Sequence, residues 1–248
     1  MNVQLRQRGL NAHKLAGLAG FFILASSLGS LMVRPTDTGY VDAGLGLLTV
    51  GIVMEVISWC AIPLVAWLYT WAIKRGVNRW RLAAWTFVIA AVSEVPYDLA
   101  LDRRAWSTES QNPAWVLLVA LVVLAAIDIT AQLSTALRWA AMLGVTLAAV
   151  FWIVALSLGT RLGILPMGIG FARICHNFLS SFWGAENRMM YSAGAFGAAM
   201  FISLALGTVF LHYRQPLLDQ EGTLPAAWVP WTYPVILLFT GLIATVLL

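Results

Sequence analysis

Residues 114–132 read AWVLLVALVVLAAIDITAQ. A hydrocarbon core of ~30 Å is crossed by roughly 20 predominantly apolar helical residues. This run meets that demand with one ionisable side chain, Asp128, late in it. Working outward, further runs of the same kind stand at about 14–32, 46–73, 82–101, 139–158, 163–183, 191–211 and 228–248. The expected fold is all-α: a polytopic transmembrane helix bundle of about eight spans, a single integral membrane domain over residues 1–248. The 46–73 run is long and holds Pro63, so it forms either one tilted or kinked helix or a short lead-in segment and a helix. The 163–183 run is rich in Gly and carries Arg173 and His176.

Composition points the same way. Of the 248 residues, 60% are hydrophobic and 10% charged, where a soluble domain has about 45–50% and ~25%. Mean hydropathy is +0.82. A soluble enzyme, a nucleic-acid binder and a disordered chain are excluded together. The isoelectric point near 9.4 is no nucleic-acid signal, because the basic residues cluster beside apolar runs as the positive-inside rule expects. Cys60 and Cys175 both lie in apolar runs and read as buried thiols. No Cys/His cluster has zinc spacing, so no metal is expected.

The first ten residues, with Arg6 and Arg8, have the charge of a signal-peptide n-region. The run behind them is of full helix length and no A-x-A pattern precedes Arg34, so it reads as a retained first helix. With the N-terminus inside, nine Lys and Arg fall inside and five outside, the 74–81 cluster deciding most of the difference. Eight spans then leave both termini cytoplasmic. The loops are too short for a separate soluble domain, and there is no internal repeat.

Ionisable groups in hydrocarbon cost several kcal/mol unless paired or hydrated, so each is a candidate for function. They are Glu55, Glu94, Asp98, Asp128, Arg173 and His176. Glu94 and Asp98 are four apart and share a helix face. Two carboxylates this close repel when both are ionised, so the pair shares a proton or holds a cation, or it is a structural anchor paired with Arg103, Arg104 or Arg173. Tyr97 and Gln111-Asn112 are expected in the same polar patch. Asp128 reads as interfacial, and Glu55 as an interior or interfacial group. Arg173 and His176 are three apart on one face: a base with an anion-holding partner, or a polar seam between helices. Gly194 and Gly197 offer close helix approach. Trp106, Trp115, Trp183, Trp228 and Trp231 lie near span ends, as an aromatic belt does.

Four strings carry a family resemblance: Ala61-Ile-Pro-Leu-Val-Ala-Trp67 leading to Trp80-Arg-Leu82, Ser93-Glu-Val-Pro-Tyr-Asp-Leu99, Gln111-Asn-Pro-Ala-Trp-Val-Leu-Leu118, and more weakly Trp231-Thr-Tyr-Pro-Val-Ile-Leu-Leu238. In order and spacing over residues 61–122 they resemble the TraX family, bacterial multi-pass proteins named for the conjugative protein that acetylates pilin. The resemblance implies kinship with membrane acyltransferases that take acetyl-CoA or another acyl-CoA as donor, with no tightly bound cofactor. The family's first-helix Asp-His pair is absent from Phe21-Phe-Ile-Leu-Ala-Ser-Ser-Leu-Gly-Ser30. Its closing His is Ile236, and its Asp-Tyr-Gly is Arg161-Leu-Gly163.

Two functional readings follow. The first is a TraX-like acyltransferase of the bacterial inner membrane, acting on a membrane protein, lipid or glycan. His176, Glu94 and Asp98 are its candidate catalytic residues and Arg173 its candidate donor-binding residue; Ser26, Ser27 and Ser30 either line the pocket or bond to their own helix. The second is a non-catalytic accessory or scaffolding subunit of a larger membrane complex, which the absent histidines favour. Transport is a weaker third, lacking a repeat and paired broken helices. Membrane lipids and a membrane-protein partner or acceptor are the expected contacts, and nucleic acid is not.

Overall fold

The structure, a computed structural model, describes residues 9–32, 35–36, 39–40, 45–58, 60–107, 112, 114–130, 132–157, 207, 209–211, 213 and 228–246. They are mostly helical: α1 Ala12–Met32, α2 Leu45–Ser58, α3 Ala61–Lys74, α4 Arg79–Asp102, α5 Ala114–Thr130, α6 Thr135–Ser157 and α7 Thr232–Val246. A two-residue antiparallel pairing, β1 Pro35–Thr36 with β2 Gly39–Tyr40, lies between α1 and α2 in the chain. Among the described residues, four stretches are long and apolar enough to cross a bilayer, of the about eight expected: Ala12–Gly29, Leu45–Ile73, Arg79–Ala100 and Val229–Val246. The expected runs at 114–132 and 139–158 are helices α5 and α6. The 163–183 run lies outside the described residues, as does most of 191–211 with Gly194 and Gly197.

The alternatives left open for residues 46–73 resolve into two helices of 14 residues each. α2 ends at Ser58, and the Cys60 N–H donates to the Ile57 carbonyl at 3.0 Å. Pro63 then falls in the first turn of α3. There a missing N–H breaks no helical bond, and the ring meets no carbonyl of a preceding turn.

Two compact units divide the chain: Met1–Ala72 with Asn177–Ile236, and Ile73–His176 with Leu237–Leu248. In the first, α1 packs on α2. Its inward face is Ala12, Leu15, Ala19 and Phe22, spaced three and four apart, which is the stripe a helix buries. Leu64, Trp67, Trp71 and Leu211 complete that core, with the Trp67 and Trp71 rings stacked at 6.0 Å. Asn11 starts α1 by accepting from the Lys14 N–H at 2.9 Å. Cys60 is a buried thiol, as expected; Cys175 lies outside the described residues. At Gly207 a Cβ would fall 2.6 Å from the Cys60 carbonyl oxygen and 2.9 Å from its Cα. Only a glycine admits that approach.

In the second unit α4 packs on α5 and α5 on α6. α4 is inverted relative to a helix that buries an apolar stripe in water. Its buried positions include Ala83, Thr86, Ala90, Ser93, Tyr97 and Ala100, while Trp80, Trp85, Phe87, Val88, Val92 and Val95 face outward. Such an outer surface suits a hydrocarbon solvent. An inner surface of small and polar groups suits helices that associate by close packing and hydrogen bonding instead of by expelling water. The hydroxyls on this face bond within their own helix: Thr86 to the Leu82 carbonyl at 2.8 Å and Ser93 to that of Ile89 at 2.6 Å. At Gly241, on α7, a Cβ would stand 2.9 Å from Leu99 Cβ and 3.1 Å from the Ala100 nitrogen.

These glycines divide into two kinds. Gly207→Ala overpacks a backbone contact and is expected to destabilise by about 1–3 kcal/mol. Gly144, on α6, has open space at its Cβ position. Gly144→Ala is expected to be neutral or to stabilise by up to about 1 kcal/mol through helix propensity. Thermal unfolding of both variants in detergent checks the contrast.

Candidate functional site

The site is built on α4, and its ends are well defined. Asn78 starts the helix in an extended conformation, its side chain accepting from the Trp80 and Arg81 N–H groups at 2.8 and 3.3 Å. Arg103 ends it in the left-handed region at φ 55°, rare for a side-chain-bearing residue, and turns the chain back. Pro96 sits inside the helix and removes one donor there.

That reversal decides the environment of Asp98. Residues 103–107 fold back so that the Ser107 N–H donates to Asp98 Oδ2 at 2.8 Å. Asp98 is fully buried. One turn earlier, Glu94 is 8% exposed. Its Oε2 accepts from the Trp115 indole N–H at 2.7 Å. The Trp115 ring also meets Phe87 edge to face at 5.7 Å, two turns down α4 from Glu94.

Asn112 ties the same two helices together. It is fully buried. Its amide N–H donates to the Ala90 carbonyl of α4 at 3.2 Å. Its side-chain oxygen accepts from the Ala114 N–H at 3.0 Å, and its backbone carbonyl from the Trp115 N–H at 3.1 Å. One residue therefore caps α5 and fastens that cap to the middle of α4. Trp115 is placed on the first turn of α5 by this cap, which is what aims its indole at Glu94.

Glu94, Tyr97, Asp98 and Asn112 are all buried, and Glu94 and Asn112 both tie α4 to the start of α5; Gln111, expected in the same patch, lies outside the described residues. An arginine was expected at one or both carboxylates; Glu94 accepts from a neutral indole N–H. Arg103 and Arg104 are exposed at the surface. Trp115, expected near a span end, is half-buried on the first turn of α5 and donates to Glu94. Its spacing three after Asn112, at the start of a helix, is the one sequence signal that points there. Ser107 carried no signal, since it acts through its backbone. Ser27 donates to the Ile23 carbonyl at 3.1 Å, the own-helix bond of the two readings for that hydroxyl.

Arg173 and His176 lie outside the described residues, and Glu55 and Asp128 fall in α2 and α5 with side chains outside the described part. Among the described residues no group of three His, Cys, Asp or Glu side chains is placed to hold a metal. Chemically, the seam is a pair of carboxylates, each bound by an N–H of the chain's own fold and shielded from solvent. Comparison with family models, with curated proteins and with solved structures finds no match for this chain.

Losing the indole donor leaves a buried carboxylate oxygen short of a bond, which costs about 1–3 kcal/mol. Trp115→Phe is expected to lower stability by that amount. Glu94→Gln, whose amide oxygen still accepts, should change it little, and Glu94→Leu should lower folded abundance. Melting temperature and membrane-fraction abundance distinguish the three.

Proposed function

We propose that this chain is a TraX-like integral membrane protein of the bacterial inner membrane. Its activity is transfer of an acyl group from acetyl-CoA or another acyl-CoA to an acceptor in the membrane: a protein, lipid or glycan. The observation that supports this most is that α4, carrying the buried Glu94 and Asp98, is tied to the start of α5 through Glu94–Trp115 and Ala90–Asn112 bonds. Glu94, Asp98, Asn112 and Trp115 come from the two strings that carry most of the resemblance, Ser93–Leu99 and Gln111–Leu118. Residues 61–122 also hold the Pro63 and Arg81-Leu82 elements in the family's order.

In this reading Glu94 and Asp98 are positioning residues. They hold α4 against α5 and against the 103–107 turn, and they do not take the acceptor's proton. The base is His176, and Arg173, three residues before it, holds the anionic part of the donor. With both termini cytoplasmic, the donor thioester arrives from the side where acyl-CoA is made.

A second reading, a non-catalytic accessory or scaffolding subunit, is favoured by one observation. Each carboxylate already gives an oxygen to an N–H of the chain's own fold, while Ile236 stands where the family's closing histidine is expected.

Purified protein in nanodiscs, supplied with radiolabelled acetyl-CoA and membrane extract, is expected to move label to a membrane-borne product. His176→Ala should abolish transfer at unchanged abundance, with Glu94→Gln retaining most of it. Wild-type protein that transfers nothing and co-purifies with a stable membrane partner would favour the accessory reading.

A further inference from the structure

The turn between α3 and α4 concentrates charge. Lys74, Arg75, Arg79 and Arg81 fall within eight residues, and no Asp or Glu occurs between Glu55 and Glu94. Backbone geometry holds this turn tight. Gly76 adopts φ +86° and its N–H donates to the Ile73 carbonyl at 2.9 Å, which closes α3. Asn78 then opens α4 by accepting the Trp80 and Arg81 N–H groups. Arg75 and Arg81 are exposed, and Arg79 partly so. Trp80 and Trp85, 53% and 50% exposed, stand on the first turns of α4 next to them.

The location is set by the apolar stretches on either side. Leu45–Ile73 ends at this turn and Arg79–Ala100 begins from it. A bilayer crossed by these stretches has its headgroup layer at residues 74–81. Tryptophan favours that layer, and a juxtamembrane basic cluster there attracts anionic lipid. Guanidinium groups match phosphate oxygens in a bidentate fork. Because Asn78 already takes the Trp80 and Arg81 backbone donors, the grip falls to side chains and not to the helix terminus.

We infer that the α3–α4 turn is a docking site for the headgroup of an anionic phospholipid, its arginines on the phosphate and Trp80 at the boundary with the acyl chains. Four cations without a carboxylate in the surrounding sequence favour a net-negative headgroup over a zwitterionic one. The inference is independent of acyl transfer.

The test is native mass spectrometry of the full chain released from nanodiscs of mixed phosphatidylglycerol and phosphatidylcholine. Phosphatidylglycerol is expected to be retained at least about tenfold over phosphatidylcholine. The combined variant Arg75→Gln, Arg79→Gln, Arg81→Gln should lose the preference, and Arg103→Gln with Arg104→Gln should keep it. Equal retention of both lipids by wild-type protein, or an undiminished preference in the triple variant, overturns the proposal. Should the triple variant fail to accumulate, wild-type retention in rising salt decides. The preference must fall as charge is screened, and a salt-independent preference overturns the proposal.

Discussion

A carboxylate withdrawn from water has to be met by hydrogen-bond donors, and the second unit is arranged around that demand. Glu94 and Asp98 are both buried on α4. The donor for one comes from the first turn of α5 and the donor for the other from the turn that ends α4. Asn112 adds a third tie, from the start of α5 to the Ala90 carbonyl. In a low dielectric such bonds are stronger than in water. The position of α5 on α4 is therefore specified by a few polar contacts more than by apolar contact, which lipid offers everywhere.

The same solvent logic explains the inverted faces. Against hydrocarbon there is no gain in hiding Trp, Phe or Val, so α4 presents them outward and turns Ala, Thr and Ser inward. Close approach then replaces hydrophobic burial as the source of cohesion. Among the described glycines, Gly207 against the Cys60 backbone and Gly241 against Leu99 and Ala100 mark such close approaches. Hydroxyls that would be a burden in such a setting are satisfied one turn back along their own helices.

α4 carries chemically separate zones along its length. Its start is basic and aromatic, with the composition of a headgroup-level segment. Toward its end Glu94 and Asp98 are buried, and each accepts from an N–H of the chain. A residue held this way is suited to fix geometry. Helix ends explain both zones: Asn78 fixes the first and the left-handed Arg103 creates the second.

Much was legible in sequence because its physics is local. Apolar run length announced the helices. A separation of four put Glu94 and Asp98 on one face. Pro63 announced an irregularity, yet whether the 46–73 run bends or breaks depends on where the helix restarts, and the structure restarts it at Ala61. The partner of Glu94 was not legible. Arginines nearby in the chain suggested an ion pair, while the donor that reaches Glu94 is an indole 21 residues away. Helical period is a property of neighbours along the chain. The identity of the group that meets a buried charge is a property of how two helices are set against each other, and only the tertiary structure decides it.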